Sequence, residues 1–165
     1  MVRLVIFMAL VKIPQMEKWE YDQLIADGYI CRIAFASGKY PYIAPFLYVF
    51  DGRFMYFLST RYGHKIQLFR QNPCVSVEVE NYSPDLSTYT FVTLSGRLVE
   101  VNDAREKKAV RESFVRLITA KKLSNRVMGA LGHSPDEPLE SLVKEERSMV
   151  WKLVDVTNIV ALKNV

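Results

Sequence analysis

The sequence predicts a mainly β domain, an antiparallel barrel or sandwich carrying a few helices. Three observations lead there. Six or so runs of strand-forming residues follow one another with short turns, few segments show helical periodicity, and the strongest short turn signal, Asp51-Gly52, joins two apolar runs. At 165 residues the chain has the length of one domain able to bury a core, and no repeat, low-complexity stretch or Pro/Gly/Ser linker divides it.

Taken in order, residues 1–16 place an apolar stretch after Arg3. It ends at Lys12, is too short to span a bilayer and precedes no small-residue cleavage site. It reads as an added first strand or as sequence upstream of a true start at Met8, and a cytoplasmic protein is expected. Residues 15–27 read as a short helix with Trp19, Leu24 and Ile25 inward, closed by Gly28 as a C-terminal cap. Residues 29–36 form a strand ending in the turn Ser37-Gly38-Lys39. Residues 42–50 form the next, and residues 53–59 return from Asp51-Gly52. Both of these strands are apolar on both faces, unlike a half-exposed hairpin. One face fills the interior; the other is expected to meet a second subunit or a flat aromatic ligand, so a homodimer is anticipated.

Residues 62–71 read as a helix with Tyr62, Ile66 and Phe69 inward, stopped by Asn72-Pro73. In residues 74–80, Val75, Val77 and Val79 alternate with Ser76, Glu78 and Glu80, giving a buried and a wet face on which the glutamates serve solvation. Residues 89–101 form a long strand with a bulge or bend at Gly96. Residues 103–120 put Val110, Phe114, Leu117 and Ile118 on one helical face, and Arg105, Lys107, Lys108, Arg111 and Glu112 on a solvated one. Residues 134–146 are expected as a helix behind Ser134-Pro135. The last strand begins near Met149 and runs through Trp151 and Leu153 towards Val160.

Composition excludes several functions. Hydrophobic residues make up 50% and charged residues 24%, as in folded soluble domains. The net charge of +4 is dispersed among acids, so no basic stripe points to nucleic acid and no membrane association is expected. Cys31 and Cys74 lie in apolar runs as two reduced core thiols, and with His64 and His133 they lack the spacing of a zinc site, so no metal is expected.

The chemistry concentrates in residues 56–73. A strand ends at Ser59-Thr60 and a helix follows, with Gly63 allowing close approach and Lys65 projecting from the first turn. Free backbone N–H groups, the helix dipole and the lysine make an anion site. A capped helix with a solvent-exposed lysine satisfies the same pattern, and helix physics alone leaves both readings open.

The run from Arg32 to Pro73 resembles the pyridoxamine 5′-phosphate oxidase-like FMN-binding split-barrel superfamily, nearest its nitroimidazole-reductase-like and general flavin-binding branches. The resembling pieces are Arg32-Ile33-Ala34, Gly38-Lys39-Tyr40-Pro41-Tyr42 leading to Pro45-Phe46, Asp51-Gly52, Tyr56-Phe57-Leu58-Ser59-Thr60, Gly63-His64-Lys65 and Asn72-Pro73, with Trp151 on the closing strand. The resemblance implies a six-stranded antiparallel split β-barrel of Greek-key type with flanking helices. One domain over residues 1–165 would then carry a helical insert at about 103–146 that the resemblance does not explain. It implies FMN as cofactor, its phosphate held by Ser59, Thr60 and Lys65. His64 stands where the oxidase branch has an arginine and Gly63 where it has a serine; both are counted with the phosphate site. The isoalloxazine would lie against the backbone of the early strands at a dimer interface, which implicates Arg32, Ile33, Ala34, Pro45 and Phe46, with Trp151 either reaching over from a second subunit or packing in the core.

The function expected is that of a homodimeric FMN-dependent oxidoreductase, passing hydride or electrons from a nicotinamide-type donor to a small-molecule acceptor. No catalytic acid or base is then required, since the redox chemistry is the cofactor's. No arginine- and histidine-rich C-terminal segment is present, so vitamin B6 oxidation is not expected. The alternatives are a non-catalytic flavin module for sensing, storage or electron transfer, and the same barrel holding a deazaflavin or haem.

Overall fold

Period-two alternation in six segments produces one sheet that closes on itself. The computed structural model of the chain describes residues 12–164. In order it runs α1 (Lys18–Asp27), β1 (Ile30–Phe35), β2 (Tyr42–Phe50), β3 (Met55–Thr60), α2 (His64–Gln71), β4 (Cys74–Tyr82), β5 (Tyr89–Glu100), α3 (Ala104–Ala120), α4 (Val127–Ala130), α5 (Ser141–Lys144) and β6 (Ser148–Lys163). The strands form a closed barrel in the order β1-β2-β3-β6-β5-β4, each neighbouring pair antiparallel. A barrel rather than a sandwich is therefore the fold. The strand expected at the N-terminus lies mostly outside the described residues; within them, Gln15 bridges Leu162. No helix among the described residues is long and apolar enough to cross a membrane.

The barrel is filled by the inward residues of each strand, among them Ile33, Phe35, Phe46, Tyr48, Phe57, Val77, Val92, Leu98 and Trp151. Each large apolar side chain so buried contributes about 1.5–3 kcal/mol. Strand β6 closes the sheet because its first residues pair with β3 (Thr60 with Ser148, Tyr56 with Lys152) while the rest pairs with β5 as far as Thr90 with Lys163. The β5–β6 register slips beside Gly96, as the sequence suggests. A Cβ on Gly96 would lie 2.7 Å from the Val154 carbonyl oxygen, and Asp155 takes up the bend at φ 52°.

The helical insert explains the second apolar face. Val110, Phe114 and Ile118 of α3 pack with Tyr56, Leu58 and Val150, so the outer face of β3 is covered by the chain itself and not by a subunit or ligand. Leu47 and Val49 of β2 join this cluster, whereas Ile43 and Pro45 remain exposed.

Several local expectations are corrected. Trp19 is 71% exposed, because α1 buries only Leu24 and Ile25. Gly28 ends α1 in extended backbone; what demands glycine is space, since a Cβ would collide with the Tyr48 hydroxyl, which donates to Ile25 O at 2.7 Å. The Asp51-Gly52 turn is longer than a two-residue hairpin: Phe50 pairs with Met55, and Asp51 Oδ1 accepts from the N–H groups of Arg53 (2.8 Å) and Phe54 (2.7 Å). Residues 134–146 form no continuous helix, only α5 within them, because Pro138 interrupts and Glu137 ties back to the Ser134 N–H and His133 Nδ1. Cys74 is exposed, on the same face of β4 as Ser76 and Glu78, and only Cys31 is a core thiol. Arg111, expected on a solvated helix face, is 1% exposed.

Phe114 is the centre of the contact between insert and barrel. Truncating it (Phe114→Ala) is expected to cost about 3–5 kcal/mol in urea-unfolding free energy, with a cooperative transition retained; a loss below about 1 kcal/mol would show that the insert packs elsewhere.

Candidate cofactor site

The end of β3 and the start of α2 bring the central site residues together. Thr60 closes β3, and the chain turns through Gly63, whose φ of 100° suits a residue without a side chain, into α2 at His64. Lys65, in the first turn of α2, folds back so that its Nζ donates to Thr60 Oγ1 at 3.0 Å. The Thr60 hydroxyl in turn donates to Tyr62 O at 3.2 Å. The Lys65 ammonium lies 6.0 Å from the centre of the Phe46 ring at the barrel end, and His64 sets its ring edge-on to Tyr42 at 5.1 Å. Lys65 is half-buried, and burial pulls its ammonium below the ordinary lysine value. Among the described residues no carboxylate pairs with it.

A desolvated ammonium without a counter-ion, beside a hydroxyl and a helix N-terminus, suits a dianionic phosphate. Thr60, Gly63, His64 and Lys65 lie together where β3 runs into α2, with Thr60 and Lys65 in direct contact. Tyr62, expected inward, is 74% exposed and precedes the helix, while Ile66 and Leu68 supply its buried positions and Phe69 packs partly beneath.

The other expected residues lie on β1, β2, the end of β3 and β6. Ser59 alternates with Thr60 and so faces inward beside Phe57; its hydroxyl is buried and donates to Thr60 O at 3.0 Å. Ile33 and Phe46 point into the barrel, and Ala34 points outward from β1. Pro45 stands opposite Arg32 in the β1–β2 register, on the outer face. Arg32 is committed to an ion-pair cluster, with Nη1 2.7 Å from Glu80 Oε1 and 3.5 Å from Glu78 Oε2. The two glutamates thus do more than solvate a strand, and burial, with Glu80 next, pushes the Glu78 carboxyl up.

Trp151 is fully buried inside the barrel. Its ring lies 4.7 Å from Phe69, 6.0 Å from Phe46 and 6.3 Å from Phe35, and its indole N–H has no hydrogen-bond partner. Of the two readings of this residue, packing in the core is the one realised: Trp151 is the floor on which Phe69 seats α2. A ≈540 Å³ depression beyond β1 is lined by Ala34, Pro41, Cys74, Ser95 and Gly96, with Asp155 at its bend.

A closed six-stranded antiparallel barrel whose third strand runs into such a helix is a split β-barrel. The chain belongs to the pyridoxamine 5′-phosphate oxidase family, whose model matches residues 17–140. It is 30% identical over 86 residues to an uncharacterized protein of Rhizobium meliloti (strain 1021), a stretch covering 52% of this chain and 56% of that protein. The chain thus spans about half the length of that curated relative. Its fold is similar to that of a FAD-binding protein from Mesorhizobium loti, with a TM-score of 0.68 and 18% identity over 94% of this chain and 100% of that one. It is also similar to that of a FAD binding protein from Mycobacterium smegmatis, with a TM-score of 0.60 and 14% identity over 92% and 98% of the two chains. At these identities the likeness is one of fold.

The contrast between the two tryptophans is directly measurable. Acrylamide is expected to quench Trp19 and to spare Trp151, so a Trp19→Phe variant should emit at shorter wavelength and resist quenching. Ready quenching of that variant would place Trp151 at the surface.

Proposed function

We propose that the protein binds FMN by its phosphate at Thr60, Gly63, His64 and Lys65 and acts as an oxidoreductase towards a small-molecule acceptor. The observation that carries this reading is Lys65: half-buried, hydrogen-bonded to a hydroxyl at a strand end, and without an acidic partner among the described residues. Membership of the family supports it, as does the likeness in fold to proteins named for FAD binding. In this reading Lys65 holds the phosphate charge, Thr60 orients Lys65, and Gly63 leaves open space for the phosphate oxygens, since a Cβ there would meet nothing within 4 Å. The bound flavin would supply the hydride or electron transfer, taking reducing equivalents from a nicotinamide-type donor.

A homodimer is proposed as the working assembly. Its support is the face of β1 and β2 that the insert leaves uncovered, where Ile30 is 52% and Ile43 60% exposed. A charge placed there (Ile43→Lys) is expected to convert a dimer into a monomer by light scattering; a monomeric wild type would remove the dimer from the proposal.

The flavin itself is tested by the visible spectrum of the purified protein and the identity of the released chromophore. FMN at about one per chain is expected. FAD in its place would refute the FMN assignment, and a colourless protein indifferent to added flavin would refute the whole reading. Lys65→Ala is expected to weaken FMN binding about 10- to 100-fold, the worth of a charge-assisted hydrogen bond. Unchanged affinity in that variant would move the phosphate elsewhere. Oxidation of reduced nicotinamide by the loaded protein separates an enzyme from a non-catalytic flavin module.

A further inference from the structure

The helical insert carries a buried cation that the site described so far does not use. The Arg111 guanidinium, on α3, is sealed behind the paired ends of β3 and β6, where Thr60 stands opposite Ser148. Its Nη2 donates to Ser148 O at 2.6 Å, and its Nη1 donates to Ser148 Oγ at 3.1 Å and to Leu142 O at 3.3 Å. The Nε–H has no partner. All three acceptors are neutral, and among the described residues no carboxylate lies within ion-pair distance of Arg111.

The surrounding charges sharpen the point. Arg61, next to Thr60 in the chain, is a like-charged neighbour of Arg111 and donates to Glu146 O at 3.2 Å. Glu146 is the one acidic neighbour that favours the Arg111 charge, and it is paired with Lys107 at 2.8 Å. Burial, above all, disfavours that charge. Behind the end of β3, then, the cations Arg61, Lys107 and Arg111 gather about Glu146, while Lys65 stands at Thr60 itself. A buried guanidinium left undercompensated is costly unless something anionic completes it.

We propose that Arg111 is a positioning residue of the flavin-phosphate site, fixing the Thr60–Ser148 strand ends from behind and holding an immobile positive charge towards the phosphate. The inference rests on the phosphate site assigned above to Thr60 and Lys65. Arginine suits this role because its planar fork bonds Ser148 O, Ser148 Oγ and Leu142 O together, and because it keeps its charge when desolvated. Anchored to neutral groups, it has no carboxylate in ion-pair contact among the described residues, and its acidic neighbour Glu146 is already paired with Lys107. The insert thereby becomes part of the site's electrostatics while touching no ligand.

The test compares FMN with riboflavin, which differ by the phosphate, in wild type, Arg111→Gln and Arg111→Lys. Wild type is expected to prefer FMN. Arg111→Gln should weaken FMN binding about tenfold, the order of one fixed charge acting through a partly screened interior, while riboflavin affinity changes less than about twofold. Arg111→Lys keeps the charge but cannot bond all three acceptors, and is expected to lose FMN affinity by a few-fold, again sparing riboflavin. An Arg111→Gln protein that keeps the wild-type preference overturns the proposal. Should that variant fail to fold, Arg111→Lys decides: equal losses for both ligands, or no loss, would make Arg111 a purely structural residue. A wild type with no preference for FMN over riboflavin would instead sink the phosphate site itself, whatever the variants do.

Discussion

Closure of the sheet by β6 is the constraint on which the rest of the structure depends. Strands β3 and β5 would otherwise end as open edges with rows of unpaired N–H and C=O groups. One strand serves both only by bending, and the bend is made where Gly96 lets β6 approach and Asp155 adopts left-handed backbone. Because Trp151 pairs with Phe57 on one side and Glu100 on the other, closure fixes its ring inside the barrel. Phe69 lies on that ring, so the position of α2, and with it Lys65, follows from the way the barrel is shut.

The insert between β5 and β6 solves a second problem. Strand β3 is buried along its whole length, and a six-stranded barrel can bury only its inner half. Helix α3 covers the remainder, turning Tyr56 and Leu58 into the base of a second small core. Tyr56 also joins a polar seam with Glu106 and Lys152, so insert and barrel are joined by charge as well as by apolar area.

Much of this was legible in the sequence. The strands could be placed because Val75, Val77 and Val79 carry a period that only a pleated segment produces, and because turn residues bound the continuous apolar run around Phe46. The helix after Thr60 could be placed because Asn72-Pro73 stops it. What remained hidden depends on the third dimension. The Arg32 ion pairs require knowing that β1 lies beside β4 in the register that sets Arg32 against Glu78. The burial of Arg111 requires knowing that α5 and the start of β6 pack against a helix face whose periodicity says water. Ser59 and Thr60 read as a pair of equivalent hydroxyls, yet neighbours on a strand face opposite ways, and only Thr60 meets Lys65.

The unequal fates of the two cysteines have a practical consequence. Cys31 is sealed in the barrel, where burial pushes its thiol up and suppresses the reactive thiolate, while Cys74 is open to solvent just beyond α2. The unaltered chain therefore offers a single address for a maleimide dye or spin label, attached without mutagenesis at the exit of the helix that carries Lys65. A probe there would watch the neighbourhood of α2 in real time while every native side chain around Thr60 stays in place.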